Sequence, residues 1–192
     1  LAGLEKALTE ETAKEVDLAV RRILLIHNII LTIGGIPLIY LGDEVGMLND
    51  YDFRKNPAKL GDSRWVHRYP RDPQRYGQRT DPDTIPGRIY QGLPDLISLR
   101  KNELLLSNDS PEFIDSGNPH VFGYLHQDEN CLIVLLNNFS DHPQIVSRNA
   151  LRLCGLGSEF FDKLDGKSYR LEEDLTLKPF QYMWLKDKHQ KR

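Results

Sequence analysis

The chain has 192 residues, of which 40% are hydrophobic and 28% charged, which suits a globular protein with one good core or two small ones. A formal net charge of −3 and a pI near 6.1 leave no global positive field to gather nucleic acid or anionic lipid. The longest apolar stretch, 23–36, is interrupted by His27, Asn28 and Thr32 and is too short and too polar to span a bilayer, so no membrane association is expected. The first periodic element opens on Thr12 and Glu15, which fit a capping box with Glu10 and Glu11 nearby. Val16, Val20, Ile23, His27 and Ile30 follow at helical spacing, predicting a helix over 12–32. Its second half is apolar nearly all round, which argues burial between layers, and Gly34-Gly35 supplies the glycine expected past a helix end. Ile36-Pro37-Leu38-Ile39-Tyr40-Leu41 is apolar without alternation and reads as a strand buried on both faces, as in a parallel sheet.

From 42 to 82 the chain is polar, aromatic and arginine-rich with no sustained period. A connection this long is functional or disordered, and Phe53, Trp65, Tyr69 and Tyr76 argue for order. Ile89, Leu93, Leu96, Ile97 and Arg100 predict a helix over 85–101 capped by Asp83 or Thr84, with a kink or break at Pro94. Helix, buried strand, long loop and helix form the repeating unit of an α/β barrel or a doubly wound sheet. Beyond the candidate boundary Asn108-Asp109-Ser110-Pro111, strands are predicted at 121–125, 131–136, 144–146, 160–164, 169–171 and 181–185. Asp165-Gly166 is the expected hairpin turn, and together these strands make a small antiparallel sandwich.

Cys131 and Cys154 lack CxxC or Cys/His spacing, which implies neither a zinc site nor a disulfide framework and favours a reducing compartment. The six histidines show no metal-ligand spacing, and there is no phosphate-cradling glycine loop or nucleophile elbow, so no metal or cofactor is expected. The tail residues Lys186, Lys188, Lys191 and Arg192 read as a solvated terminus. A start at Leu1 rather than Met suggests a piece of a longer protein.

The segment Gly35-Ile36-Pro37-Leu38-Ile39-Tyr40-Leu41-Gly42-Asp43-Glu44-Val45-Gly46 resembles the last barrel strand of the α-amylase superfamily, G-x-P-x-x-Y-x-G-D-E followed by a small residue and Gly. Within it, Leu1-Ala2-Gly3-Leu4-Glu5, Leu48-Asn49-Asp50, Asp62-Ser63-Arg64-Trp65 with His67-Arg68, and Gln78-Arg79-Thr80-Asp81-Pro82 are similar to amylosucrases. Asn138-Phe139-Ser140, Asp174-Leu175-Thr176-Leu177 and Pro179-Phe180-Gln181-Tyr182-Met183-Trp184-Leu185 resemble that family's C-terminal domain. The resemblance implies residues 1–108 as the C-terminal portion of a (β/α)8 barrel with a long loop at 42–82, and 109–192 as a C-terminal β-sandwich. It further implies a retaining glucosyltransferase that cleaves sucrose, releases fructose and extends an α-glucan, and the reducing compartment read from the cysteines makes the cytoplasm its expected location. Such chemistry needs two carboxylates about 5 Å apart. In the family they lie upstream of the part that matches Leu1, so no catalytic residue is expected in this chain, and on its own it is expected to be inactive. The resemblance makes Arg79 a substrate-binding residue, closing the floor of the glucose pocket by pairing with an upstream aspartate. A guanidinium suits this because it stays charged and forks onto a carboxylate.

Other readings stand beside these. Asp43 and Glu44 end a barrel strand, but neighbours on an extended chain point apart and cannot flank one bond, so they are read as acceptors for backbone amides or arginines. Trp65, Tyr69 and Tyr76 have faces that stack on sugars, although packing of the loop accounts for them and is preferred. Arg64 is read as an internal partner of Asp62, and His27 as a hydrogen-bonded core histidine. A sucrose hydrolase or another glucosidase of the superfamily fits the same residues, and a non-catalytic carbohydrate-binding or interaction module is the alternative of a different class.

Overall fold

In the computed structural model, which describes residues 2–10, 12–107 and 111–188, the chain forms two compact units, Leu1–Ile23 with Ile39–Pro94 and Leu24–Leu38 with Asp95–Arg192. The boundary residues 108–110 and the tail residues Lys191 and Arg192, both singled out from the sequence, lie outside the described residues.

The first unit is built from helices and turns. Helix α1 (Leu4–Glu10), which carries no period long enough to predict, starts after Gly3 and buries Leu4 and Ala7. Helix α2 (Ala13–Thr32) agrees with the predicted span, and its first half buries Leu18, Ala19 and Val20. Asp17 pairs with Arg21 and with Arg88. Val45, Phe53, Ile89 and Leu93 complete the unit's buried apolar set. Helix α3 (Pro73–Gln78) breaks up the long loop, and helix α4 (Ile85–Asn102) runs on through Pro94. The expected break there does not occur. Pro94 is solvent-exposed and forfeits one backbone bond, which the burial of Leu93 and Leu96 on either side outweighs.

The strand expected at 36–41 is also absent. Ile36 is 98%, Leu38 77% and Leu41 73% exposed, and no strand pairs with this segment. A parallel strand exists only by its ladders to neighbours on either side. Among the described residues every paired strand lies in 112–187, and all pair antiparallel.

The second unit contains strands β1 (Glu112–Ile114), β2 (Val121–Gln127), β3 (Leu132–Asn138), β4 (Gln144–Val146), β5 (Glu159–Asp162), β6 (Ser168–Arg170), β7 (Leu175–Leu177) and β8 (Tyr182–Asp187), with helix α5 (Arg148–Leu153) after β4. A six-stranded sheet has the order β1-β2-β3-β8-β5-β6, and β4 pairs with β7 as a separate ribbon. Register follows the period of two. Leu132, Val134 and Leu136 of β3, with Met183 and Leu185 of β8, face a core closed by Val146, Leu151 and Leu177. Ile133, Leu135 and Trp184 face the opposite way, onto a core that includes Leu31, Leu96, Leu105 and Leu106. Both faces of the central strands are therefore buried, and every residue of β3 is out of solvent.

Candidate substrate-site loop

The segment 42–82 is ordered by aspartates at intervals. Asp50, Asp62, Asp72 and Asp81 each accept the backbone N–H two residues on, at 2.9 Å, 3.0 Å, 2.9 Å and 3.0 Å. A carboxylate that captures the i+2 amide closes a turn, and a loop without apolar period can be built from such turns. The backbone N–H of Asp50 donates to the Val66 carbonyl at 2.8 Å, stitching two of these turns together. Glu5 Oε2 accepts from Asn49 Nδ2 and Tyr51 Oη, both at 3.0 Å.

At the start of the loop, residues 43–45 form one 3-10 turn rather than the extended strand end expected from the sequence. Gly42 has φ 102°, and a Cβ there would lie 2.7 Å from Tyr69 Cε2 and 2.8 Å from Met47 Cγ, so only glycine fits. Glu44 is half-buried. Its Oε2 accepts from the Gly42 N–H at 2.6 Å and its Oε1 from the Tyr76 hydroxyl at 2.8 Å. The acceptor role read for Glu44 is thus what the structure shows. Burial, reinforced by Asp43 and Tyr40, pushes the Tyr69 phenol up to about 12, and burial followed by the Glu44 hydrogen bond raises that of Tyr76. Both phenols stay protonated, and that of Tyr76 donates to Glu44.

Helix α3 is fastened to this turn a second time, since Arg75 Nη1 donates to the Gly46 carbonyl at 2.8 Å. Asp72 caps the helix, accepting from Gln74 and Arg75 amides, and Pro73 fits its first turn. Arg79 follows as the C-cap residue. It is half-buried, and both its backbone N–H (3.4 Å) and its Nη1 (2.6 Å) donate to the Tyr76 carbonyl. The turn bearing Arg79 is held from the other side by Thr84, whose hydroxyl bonds the carbonyls of Gln78 at 3.1 Å and Asp81 at 2.8 Å and accepts the Gly87 N–H at 3.1 Å. Thr84 is thus the cap foreseen for α4. A Cβ at Gly87 would sit 1.7 Å from the Asp81 carbonyl oxygen, so the helix and turn pack without room for any side chain.

Several of the loop's remaining aromatic and charged side chains contact one another. Lys59 Nζ lies over the Trp65 ring at 4.5 Å from its centroid and the Arg68 guanidinium at 5.3 Å, so cations pack on the indole. Arg64 forks onto Asp62 at 2.8 Å and 2.9 Å, the internal pair expected, although both are solvated and the bond adds little stability. His27 is buried in the second unit, 5% exposed. Among the described residues no cluster of three or more His, Cys, Asp or Glu could hold a metal, and no helix is long and apolar enough to cross a membrane. In the second unit a groove of about 590 Å³ is lined by Phe113, Phe122 and Phe139. The polar side chains at its rim hold the β1–β2 connection, with Ser116 Oγ on the Val121 carbonyl at 2.7 Å and Asn118 Nδ2 on the Ile145 carbonyl at 2.9 Å.

Solved structures place this fold. They carry the same arrangement, helices followed by an antiparallel β domain, as part of a longer chain. AmyP in complex with maltose matches 96% of the chain at a TM-score of 0.70 and 18% identity, with 37% of its own length covered. The alpha-amylase from Geobacillus thermoleovorans complexed with acarbose matches 87% at 0.61 and 21% identity, with 33% covered. The trehalulose synthase MutB from Pseudomonas mesoacidophila MX-45 matches 86% at 0.61 and 19% identity, with 38% covered. In sequence the chain is 30% identical over 168 residues to glucosylglycerate phosphorylase of Escherichia coli (strain K12), which takes in 86% of this chain and 28% of that protein. No protein-family model matches the chain. The chain spans well under half the length of each of these relatives.

Proposed function

We propose that this chain is the barrel-end and β-domain portion of a retaining enzyme of the α-amylase superfamily that moves glucose from an α-glucoside, sucrose first, onto an α-glucan. The observation that carries this reading is the clamped turn at 78–81, which holds the half-buried Arg79 in the loop that follows 36–41. Barrel enzymes build their sites on the loops at the carboxyl ends of strands, and a fixed guanidinium there offers a charged floor for a sugar pocket. The resemblance of Gln78-Arg79-Thr80-Asp81-Pro82 to amylosucrases adds the substrate. A second reading, transfer of glucose to inorganic phosphate, is favoured by the 30% identity to a glucosylglycerate phosphorylase.

One experiment separates the two. The full-length enzyme is given sucrose and a glucan primer, with and without inorganic phosphate. Fructose release with primer elongation supports glucan transfer, glucose 1-phosphate formation dependent on phosphate supports phosphorolysis, and inertness toward sucrose overturns the substrate. Arg79→Ala is expected to lower kcat/KM by about 10²–10³, the loss of one oriented charged contact worth about 2–4 kcal/mol, with little change in melting temperature. Arg79→Lys should rescue poorly, because an ammonium cannot reproduce a fork. Near-normal kcat/KM in the alanine variant would reduce Arg79 to a structural residue.

A further inference from the structure

Arg79 lies just past a helix of six residues, too short to hold its own direction in water. What aims it must come from tertiary contacts. One runs without a gap from the start of the loop: the Gly42 N–H donates to Glu44 Oε2 at 2.6 Å, the Tyr76 hydroxyl donates to Glu44 Oε1 at 2.8 Å, and the Tyr76 carbonyl accepts Arg79 Nη1 at 2.6 Å. Each link fixes the next. Glu44 uses one oxygen for each donor, so neither can be lost without freeing the carboxylate to rotate. The phenol fixes the ring of Tyr76, and through it the peptide whose carbonyl holds the guanidinium. Arg71 lies over the Tyr76 ring at 5.0 Å and favours that ring position.

From this geometry we propose that Glu44 and Tyr76 are positioning residues for Arg79, which they aim without touching substrate themselves. This rests on the reading of Arg79 as part of the sugar pocket. It also gives the acidic residue ending the Gly42-Asp43-Glu44 turn a task other than catalysis, since a carboxylate with both oxygens engaged is a poor nucleophile or acid.

The test uses the full-length enzyme with Tyr76→Phe, Glu44→Gln, Arg79→Ala and the double variant Tyr76→Phe/Arg79→Ala. Tyr76→Phe keeps the ring and deletes one charge-assisted hydrogen bond, and is expected to lower kcat/KM for the glucosyl donor about tenfold. Glu44→Gln offers a single acceptor oxygen for two donors and should behave alike. The readout that a purely structural role would not reproduce is non-additivity: the double variant should be no slower than Arg79→Ala alone. Tyr76→Phe with parental kcat/KM beside a damaged Arg79→Ala would overturn the positioning role while leaving Arg79 in the pocket. A double variant slower than Arg79→Ala by the full Tyr76→Phe factor would do the same. An undamaged Arg79→Ala would overturn the pocket reading and this one with it.

Discussion

Asn28 is fully buried near the end of α2, and both halves of its amide are spent. Trp184 Nε1 donates to its Oδ1 at 2.6 Å, its Nδ2 donates to Asn137 Oδ1 at 2.8 Å, and Asn137 Nδ2 passes the chain on to the Phe122 carbonyl at 3.2 Å. A satisfied buried network of this kind fixes one arrangement, and removing a member strands the others. Asn28→Leu leaves the Trp184 N–H and the Asn137 carbonyl oxygen unpaired in a dry core, and is expected to destabilise the chain by about 2–4 kcal/mol. Urea unfolding measures it, and a variant as stable as the parent would show that the network contributes nothing net. Asp162 behaves differently because it is buried, 2% exposed, with no ion pair on its carboxylate among the described residues and only a weak pull from Lys167. Its Oδ1 accepts the N–H groups of Leu164 and Trp184 at 3.1 Å and 3.0 Å, yet burial outweighs these bonds and pushes the carboxyl from 3.8 up to about 6. A folded value above the unfolded one means that the native state holds the proton more tightly. The associated stability is therefore full below pH 4 and is lost as pH rises through about 6. Asp162→Asn retains an acceptor oxygen without the titration. The stability difference between the parent and this variant should change by on the order of 2 kcal/mol between pH 4 and pH 7, the parent losing ground. Parallel melting curves across that range would remove Asp162 from the pH response.

At the scale of elements, what the sequence makes legible depends on length and on what covers each face. Helix α2 is long, and its capping box and spacing mark it almost to the residue. Strands β2, β3, β4 and β8 overlap their predicted spans, and the Asp165-Gly166 turn joins β5 to β6 with Gly166 at φ 72°. Strands β1 and β7, of three residues each, and α5, of under two turns, go unpredicted, although the equally short β4 and β6 do not. The polar residues His27, Asn28 and Thr32 read as interruptions of an apolar helix. Asn28 and Thr32 are instead its anchors to the sheet, since Thr32 Oγ1 lies 2.5 Å from Tyr124 Oη, and no spacing rule indicates a partner ninety or more residues away. In the loop a signal was present and unread. Asp50, Asp62, Asp72 and Asp81 recur at turn-like intervals, each ready to capture an i+2 amide, and they mark the turns that carry Arg64, Arg75 and Arg79. Arg79 itself was reached through its motif, whereas its tie to Tyr76 and Glu44 depends on a side-chain contact across thirty-two positions that only the folded chain reveals. The segment 36–41 reads as a buried strand because burial is written in its composition, but a strand also needs neighbours to pair with.

For the whole molecule, the same contrast sets where the chain opens first. In the second unit the central strands carry ladders on both sides and apolar cores on both faces, so their amides exchange only in the largest openings. The first unit has no strand ladder among its described residues. Its buried apolar side chains are few, and its loop is held by turns whose carboxylates face solvent. Hydrogen exchange on the 192-residue chain should show the slowest amides in β3 and β8 and fast exchange through 36–41 and 42–82. Apolar side chains left in water also seek one another. Ile36, Leu38 and Leu41, exposed by 98%, 77% and 73%, make 36–41 an adhesive segment on a chain whose net charge of −3 repels only weakly. The chain by itself should therefore associate as its concentration rises, and sedimentation velocity over a hundredfold dilution should show the shift. Replacing Ile36 and Leu38 with Ser should return it to monomer without changing exchange in β3. A parent chain that stays monomeric, with 36–41 as well protected as β3, would mean that this segment is covered in solution by the chain itself.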